Sequence, residues 1–493
     1  MATYTKRIVR GSAFLFMMSI LAGIIGYIIR IVLARNLTPS EYGLFYAIFA
    51  FVSFLLFFRD LGLNQALVKY IPEFKINQKF NKIKTAISSA FFGQVVSSLI
   101  LGILLFIFSG FLAEHYFKDL LAIKILRILI IYVFFSMFVI LLLNIFRGFQ
   151  KIKTFSSIEP IRNTIMLIFV LVLLNRGAGV LAPAYAFVIS WIALSIILAP
   201  LFIKTFNFFK YKIKNLRKTT KLLFAFSLPV LLTTVGAYAI ATIDTLVLTY
   251  FTTLDQVGIY NVVLPSAMMF LFFCNSLATV AFPIISELWA KKEIIKITEW
   301  VRLLYKYSFV VITPLLVSLL VFSEIFIRVF FGEQYVAGAN AFRILLVGVL
   351  FFIVAKLNNI TLSGIGKPAI VTRIILMVAL FNFIANVALV PRFGIEGAAF
   401  ATAVSYLIVL VMSTYKTTKF VEVKVPINAW LKTIIASLAF VGVIGFLKRI
   451  LFMNIWLEVI ISLLVAFAVY AILIYLLKLI DVAEIKKYAK LIK

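Results

Sequence analysis

Cysteine and histidine are almost missing from this chain: 493 residues hold one of each, Cys274 and His115. A single cysteine excludes an internal disulfide and any thiolate metal cluster. A single histidine, placed in an expected short loop, removes the usual imidazole sites for metal binding and proton relay. No metal or organic cofactor is expected. Acid is scarce as well, with 18 Asp and Glu against 48 Lys and Arg, a formal charge of +30. Charge of either sign is thin, at 13% of the residues.

What fills the space is apolar. The apolar share is 64% and the mean hydropathy +1.14. A soluble chain of this size must show water a polar exterior, which this composition cannot supply. The fold class that follows is an all-α polytopic membrane protein. On a soluble chain +30 would point to nucleic acid. Beside a membrane it reads as basic loops on the cytoplasmic side, and no nucleic-acid partner is expected.

A helix needs roughly 20 apolar residues to cross a hydrocarbon core of about 30 Å. Fourteen such runs can be traced. The first six are 11–34, 43–66, 84–109, 120–146, 156–175 and 179–203. The next six are 222–251, 257–283, 303–323, 339–362, 368–390 and 394–415, and the last two are 428–447 and 454–477. They are continuous rather than alternating, which argues against strands. The first run is of span length and lacks a small-residue cleavage pattern, so it is expected to be a span and not a cleavable signal.

Basic residues crowd alternate connections. Lys69, Lys75, Lys79, Lys82 and Lys84 follow run two; Arg147, Lys151 and Lys153 follow run four; Lys291, Lys292 and Lys296 follow run eight. The stretch 204–221 holds Lys204, Lys210, Lys212, Lys214, Arg217, Lys218 and Lys221. The intervening connections, such as Thr252 to Gln256, are short and poor in net positive charge. This alternation follows the positive-inside rule, and it predicts both termini in the cytoplasm and a multi-pass protein of the cytoplasmic membrane. The expected organisation is an N-lobe of six helices over 1–203, a basic cytoplasmic linker over 204–221, and a C-lobe of six helices over 222–417. Two further helices and a cytoplasmic tail occupy 418–493.

The chain also echoes itself. Ser40-Glu41-Tyr42-Gly43-Leu44-Phe45 returns as Asp255-Gln256-Val257-Gly258-Ile259-Tyr260. Gly179-Val180-Leu181-Ala182-Pro183 returns as Gly394-Ile395-Glu396-Gly397-Ala398, at the same offset of 215 positions. Arg147-Gly148-Phe149-Gln150-Lys151 and Ser363-Gly364-Ile365-Gly366-Lys367 sit one position off that diagonal. Three matches in order suggest two equivalent halves, a transporter signature. Six runs per half is an even number, so both halves enter from the same side, and the repeat axis runs along the membrane normal.

Charges inside a bilayer are costly, so each is a functional candidate by default. Arg30, Arg59, Arg162, Lys356 and Arg373 could line a cationic cavity between the lobes, and guanidinium groups bind phosphate oxygens bidentately. Asp60, Glu159 and Asp244 are the acidic candidates, as counter-charges or as H+ or Na+ coupling groups. Simpler readings stand beside these. Arg127 and Arg373 lie near run ends, where snorkelling accounts for them. Asp60 can neutralise a neighbouring cation, and Asp244 can pair with an arginine of a facing helix. Glu159-Pro160, Pro229, Pro265, Pro283 and Pro314 mark expected bends. On the repeat alignment Asp244 falls one position from the place of Arg30, so the polar equipment of the halves differs.

The segments Ala34-Arg35-Asn36-Leu37-Thr38-Pro39-Ser40-Glu41-Tyr42-Gly43-Leu44 and Asp60-Leu61-Gly62-Leu63-Asn64-Gln65-Ala66-Leu67-Val68-Lys69-Tyr70 resemble the opening of the polysaccharide-biosynthesis flippases (Wzx/RfbX-like). These belong to the multidrug/oligosaccharidyl-lipid/polysaccharide exporter superfamily. Phe393-Gly394-Ile395-Glu396-Gly397-Ala398-Ala399 resembles the turn before their twelfth span. The resemblance implies a V-shaped pair of six-helix lobes that moves a polyprenyl (pyro)phosphate-linked oligosaccharide by alternating access. It implies no catalytic residues, membrane lipids and the lipid-linked glycan as partners, and glycan-assembly enzymes nearby. Arg30 and Arg59 occupy places comparable to cavity cations of relatives, and H+ or Na+ coupling would fall to Asp244 or Glu159. Two other functions stay open on the residues. One is a cation-coupled drug or metabolite exporter, for which acidic cavity residues should dominate. The other is a membrane glycosyltransferase or polymerase, for which the outer connections offer only scattered groups such as Glu114, His115, Asp119 and Glu333.

Overall fold

A computed structural model of the chain describes residues 2–451 and 455–480. Side chains are described from Phe14 on, except at 228–230, 232–239, 241, 272–273, 275–276, 279–280 and 455–456. The bend expected at Pro229 therefore lies outside the described residues. Among the described residues every regular element is helical. The order is α1 (Ala2–Asn36), α2 (Pro39–Asp60), α3 (Leu63–Ile76), α4 (Phe80–Leu112), α5 (Leu121–Gly148), α6 (Ile152–Asn175), α7 (Leu181–Thr205) and α8 (Leu216–Phe251). Then come α9 (Leu254–Met268), α10 (Leu271–Ala290), α11 (Ile294–Val321), α12 (Ser323–Phe330), α13 (Ala339–Gly364), α14 (Pro368–Thr418), α15 (Ile427–Ile450) and α16 (Ile455–Leu476). By length and apolar composition, 11 helices among the described residues can cross a membrane. One of them, α14, is 51 residues long and turns sharply at Gly394 (φ 54°, ψ −132°), so it holds two expected runs.

The packing is inverted relative to a soluble protein. On α4 the buried stripe carries Thr85, Ser88, Gln94, Ser98, Gly102 and Ser109. The outward stripe carries Phe92, Val96, Leu99, Ile103 and Phe106. Small and hydroxyl side chains let helix backbones approach closely, while lipid solvates the large apolar ones. Prolines expected to bend helices lie inside α6, α9, α10 and α11, at Pro160, Pro265, Pro283 and Pro314.

Run two, read as continuous over 43–66, is broken. Leu61 and Gly62 both take left-handed backbone (φ 50° and 71°), ending α2 and starting α3. The Asp60 carboxylate accepts from the Asn64 N–H at 3.3 Å and so caps the new helix. A leucine at positive φ costs about 1–2 kcal/mol, which the surrounding packing must offset. Lys69 and Lys75 consequently sit on helix α3 rather than in a loop. His115 likewise sits in a π-helical turn at Ala113–Phe117 that continues α4, its ring stacked on Phe111.

Contacts group the chain into two compact units. One contains the chain up to Val262 together with Ala379–Ala398; the other contains Val263–Val378 and the chain from Ala399 on. In the first, the basic linker is docked on the start of α4. Lys84 Nζ donates to the Tyr211 carbonyl at 2.7 Å, and the Lys214 N–H donates to Thr85 Oγ1 at 3.0 Å. In the second, the core is built around Ile285, Val301, Tyr305, Leu357 and Leu362. Phe440 and Tyr470 join α15 to α16, and the Tyr470 hydroxyl reaches the Val310 carbonyl on α11 at 2.6 Å.

The repeat is visible as equivalent contacts. Thr38 and Glu41 form a reciprocal capping box at the start of α2, with Pro39 in the first turn. At 215 positions further, Thr253 Oγ1 receives the Gln256 N–H at a longer 3.5 Å. Gly179 and Gly394 both have positive φ. A Cβ on Gly179 would lie 3.9 Å from Glu41 Oε1, and one on Gly394 would lie 2.5 Å from Gln256 Oε1. Gly148 abuts Ile71 and Gly364 abuts Ile285, each where two helices converge. Each echo thus marks a position where the fold itself repeats.

Candidate functional site

Arg30 lies on α1, half-buried, under the start of α2. Its guanidinium sits 4.6 Å from the centroid of the Tyr46 ring and donates to the Asn261 carbonyl at 3.2 Å. Tyr46 in turn packs on Tyr42 at 4.5 Å. The aromatic face and the carbonyl both stabilise the cation without neutralising it, so the centre keeps its positive charge. The repeat equivalents of Arg30 and Tyr46 are Thr245 and Asn261, and these also touch: Thr245 Oγ1 donates to Asn261 Oδ1 at 3.3 Å. Asn261 therefore belongs to both arrangements.

Next to Thr245 stands Asp244, 1% exposed. Its Oδ2 accepts from the Tyr260 hydroxyl at 2.6 Å and its Oδ1 from the Asn386 amide at 2.8 Å. Both of these donors are neutral. They fix the orientation of the carboxyl group. The amide oxygen of Asn386 is buried and accepts no hydrogen bond within the protein. Among the described residues, no group of three His, Cys, Asp or Glu converges.

Arg59 is 3% exposed on α2. Its Nη1 donates to the Val133 carbonyl at 2.6 Å and to Ser136 Oγ at 2.8 Å, both on α5. It is thus placed inside helix packing. Beside it, Gln94 Nε2 donates to Asn64 Oδ1 at 3.1 Å and lies 3.4 Å from Asp60 Oδ1. Asp60 belongs to this polar layer among α2, α3 and α4.

Glu159 and Arg162 form an ion pair one turn apart on α6. Arg162 also donates to Asn163 Oδ1 at 2.8 Å, and Asn163 donates to the Ala22 carbonyl of α1 at 2.7 Å. The guanidinium lies 5.4 Å from the Phe187 centroid and 5.2 Å from that of Trp191. Tyr132 and Phe49 complete the aromatic cluster around Phe187.

Lys356 is on α13, where it lines a cavity of about 540 Å³ between α10 and α13. Arg373 is exposed on α14, and Arg127 is exposed on α5 over the Phe106 ring at 5.0 Å. The eight charges singled out in the sequence thus fall into several settings, with Asp60 next to Arg59 and Glu159 paired to Arg162. The structure brings Glu159 to Arg162, and joins Arg30 to the neighbour of Asp244 through Asn261. Charge alone did not point to Asn261, Tyr260, Asn386, Gln94 or Asn163. The available signal was a carboxamide inside an apolar run, since a buried amide must be hydrogen-bonded and therefore has a specific neighbour.

With this geometry in hand, the chain can be set beside known proteins. A family described as polysaccharide biosynthesis protein matches residues 8–289. An uncharacterised membrane protein of Methanocaldococcus jannaschii is 30% identical over the full length of both chains. A protein of Haloferax volcanii, named a probable low-salt glycan biosynthesis flippase, is 24% identical over 56% of this chain and 58% of its own. Among solved structures, a lipid II flippase, MurJ, in an inward closed conformation matches with a TM-score of 0.76 at 18% identity. That match covers 97% of this chain and 99% of the flippase. An inward-facing multidrug resistance transporter of the MATE family matches with a TM-score of 0.65 at 14% identity, covering 81% and 95%. At such identities the likeness is one of fold: the all-helical architecture is shared with these two transporters. Fold likeness alone does not carry function.

Proposed function

Because the chain belongs to the polysaccharide biosynthesis protein family, we propose that it is a flippase rather than an enzyme. It carries a polyprenyl phosphate- or pyrophosphate-linked oligosaccharide across the cytoplasmic membrane by alternating access. The observation that carries this reading is the sign of the charge held within apolar helices. Arg30, Arg59, Arg162 and Lys356 stand against Asp60, Glu159 and Asp244; with Arg162 and Glu159 paired to each other, three cations face two acids. Cations inside a bilayer suit an anionic phosphate headgroup. The energetic barrier to flipping is desolvation of a charged, hydroxyl-rich head, and a polar path removes most of it.

The proposed transport frame has fourteen crossings with both termini cytoplasmic. Lobes over 1–203 and 222–417 are joined by the linker 204–221, and the two last helices follow over 418–493. Asp244, held by Tyr260 and Asn386, is the proposed site of H+ or Na+ coupling. Glycan-assembly enzymes are the proposed partners on the supply side.

The test is reconstitution of the purified chain in vesicles with a fluorescent polyprenyl pyrophosphate-linked glycan. Accelerated transfer between leaflets is expected. Transfer no faster than in empty vesicles, across glycans of differing size, would sink the flippase. The buried Asp244 favours one second reading, a cation-coupled exporter. Gradient-driven efflux of small organic cations from the same vesicles would select it.

A further inference from the structure

The face of α13 that lines its cavity carries more than Lys356. Phe352, Lys356, Asn359 and Ser363 recur at intervals of four, three and four, which puts them on one side of the helix. Ala278 and Phe282 of α10 form part of the facing wall. Just beyond Ser363 the two helices touch: a Cβ on Gly364 would lie 2.8 Å from Ile285 Cγ2, and Ser286 Oγ donates to the Gly364 carbonyl at 3.0 Å. The cavity is open on one side and its volume, about 540 Å³, falls within the range of about 300 to 1,000 Å³ seen for small-ligand sites.

Two adjacent asparagines on α13 are used differently. Asn358 is turned into the packing, where it receives the Tyr305 hydroxyl and donates to Ser413 Oγ at 3.3 Å and Thr414 Oγ1 at 2.9 Å. Those bonds fix the rotation of α13. Asn359, one position on, lines the cavity, and its Oδ1 is buried with no hydrogen-bond partner in the protein. A buried carbonyl oxygen without a donor is costly, so an O–H or N–H brought to Asn359 from the cavity side would be favourable.

Together the wall offers an ammonium for an anionic oxygen, a carboxamide oxygen for a hydroxyl donor, a serine hydroxyl, and two phenyl rings for C–H surfaces. A bare phosphate would use only the first of these. We propose that this cavity takes a glycosyl phosphate head. Lys356 meets the phosphate, Asn359 Oδ1 and Ser363 take sugar hydroxyls, and Phe352 and Phe282 flank the ring. The proposal rests on the flippase reading for the source of that head, a lipid-linked sugar; a free sugar phosphate carries the same chemistry.

The experiment titrates the purified full chain in nanodiscs with farnesyl phosphate, farnesyl phosphoryl-glucose and free glucose 1-phosphate. Proteins with Lys356→Gln, Lys356→Arg and Asn359→Leu are compared, with thermal melts as a folding control. Wild type should bind the glucosyl lipid best. Lys356→Gln should weaken both farnesyl ligands by about tenfold or more, and Lys356→Arg should restore much of the loss. Asn359→Leu should erase about a fivefold advantage of the glucosyl lipid over farnesyl phosphate. Equal affinity for glucose 1-phosphate would keep the site and assign it a soluble ligand. Unchanged binding in a folded Lys356→Gln protein overturns the proposal. If that protein does not fold, an unchanged sugar preference in both Asn359→Leu and Ser363→Ala overturns it.

Vesicle transfer is read separately. Transfer with variants that bind and flip like wild type removes the site and spares the flippase. Sugar-selective binding without transfer keeps the site and removes the flippase.

Discussion

Gly43 of α2 and Gly258 of α9 pack against each other through bare backbone. A Cβ on Gly43 would lie 1.9 Å from the Leu254 carbonyl oxygen and 2.8 Å from the Gly258 nitrogen. A Cβ on Gly258 would lie 2.0 Å from the Pro39 carbonyl oxygen and 3.1 Å from the Gly43 nitrogen. Pro39 and Leu254 are themselves repeat equivalents, so each half makes the same contact on the other. That is the signature of an isologous contact on a pseudo-twofold axis. The echo therefore records the crossing point of two equivalent helices.

Alanine at either glycine should drive the helices apart. Gly43→Ala and Gly258→Ala should each destabilise by about 1–3 kcal/mol, with similar size because the contact is symmetric. The double variant should cost less than the sum, since the first substitution already opens the gap. Thermal melts in detergent would read this, with Gly110→Ala, where a Cβ meets nothing within 4 Å, as the neutral control. A Gly43→Ala protein that melts with wild type would show that the helices do not meet here.

Burial changes the expectation for Arg59. Removing the guanidinium strips the Ser136 oxygen of its donor and leaves the Val133 carbonyl only the Ser136 hydroxyl at 3.2 Å among side chains. Arg59→Ala should cost on the order of 3 kcal/mol and lower the yield of folded protein. Lysine, which reaches as far with a point charge, should recover part of it. A stable Arg59→Ala protein with lost transport would instead put this cation in contact with substrate.

Arg30 should behave in the opposite manner. Half-buried over Tyr46, it holds the Asn261 carbonyl and the Tyr42 side chain, each at a single contact. Arg30→Gln should lower stability by no more than about 1–2 kcal/mol, read by thermal melts, and slow glycolipid transfer about tenfold or more. Equal loss of both would mark Arg30 as structural.

Asp244→Asn preserves shape and removes charge. Transfer driven by an imposed Na+ or H+ gradient should fall to the rate seen without a gradient, while headgroup binding at Lys356 stays intact. The comparison uses vesicles with each gradient in turn. An Asp244→Asn protein that still speeds up under the gradient would remove Asp244 from coupling.

Much of this was legible in residue order. The apolar runs located the helices, and the three echoes located the equivalent contacts at Gly43, Gly179 and Gly148. The capping box at Thr38 and Glu41 is local and could be read from spacing alone. The break at Leu61 and Gly62 was missed because hydropathy stays high across it, and a backbone turn leaves no mark on an apolar average. Asn261, Asn359 and Asn386 were missed for a related reason. A single carboxamide hardly changes the hydropathy of a run, yet it fixes which neighbours that helix must face.

Sequence by itself determined that this chain is a helical membrane protein built from a repeat, with excess cations in its spans. Those properties are one-dimensional: the bilayer sets a run length, and duplication sets an offset. Only the tertiary structure decided that Arg59 braces α5, that Arg30 and Thr245 meet at Asn261, and that Asn359 rather than Asn358 lines a cavity. Which side of a helix faces which neighbour depends on its rotation about its own axis. Contacts between residues far apart in the chain set that rotation, and neither run length nor repeat offset encodes it.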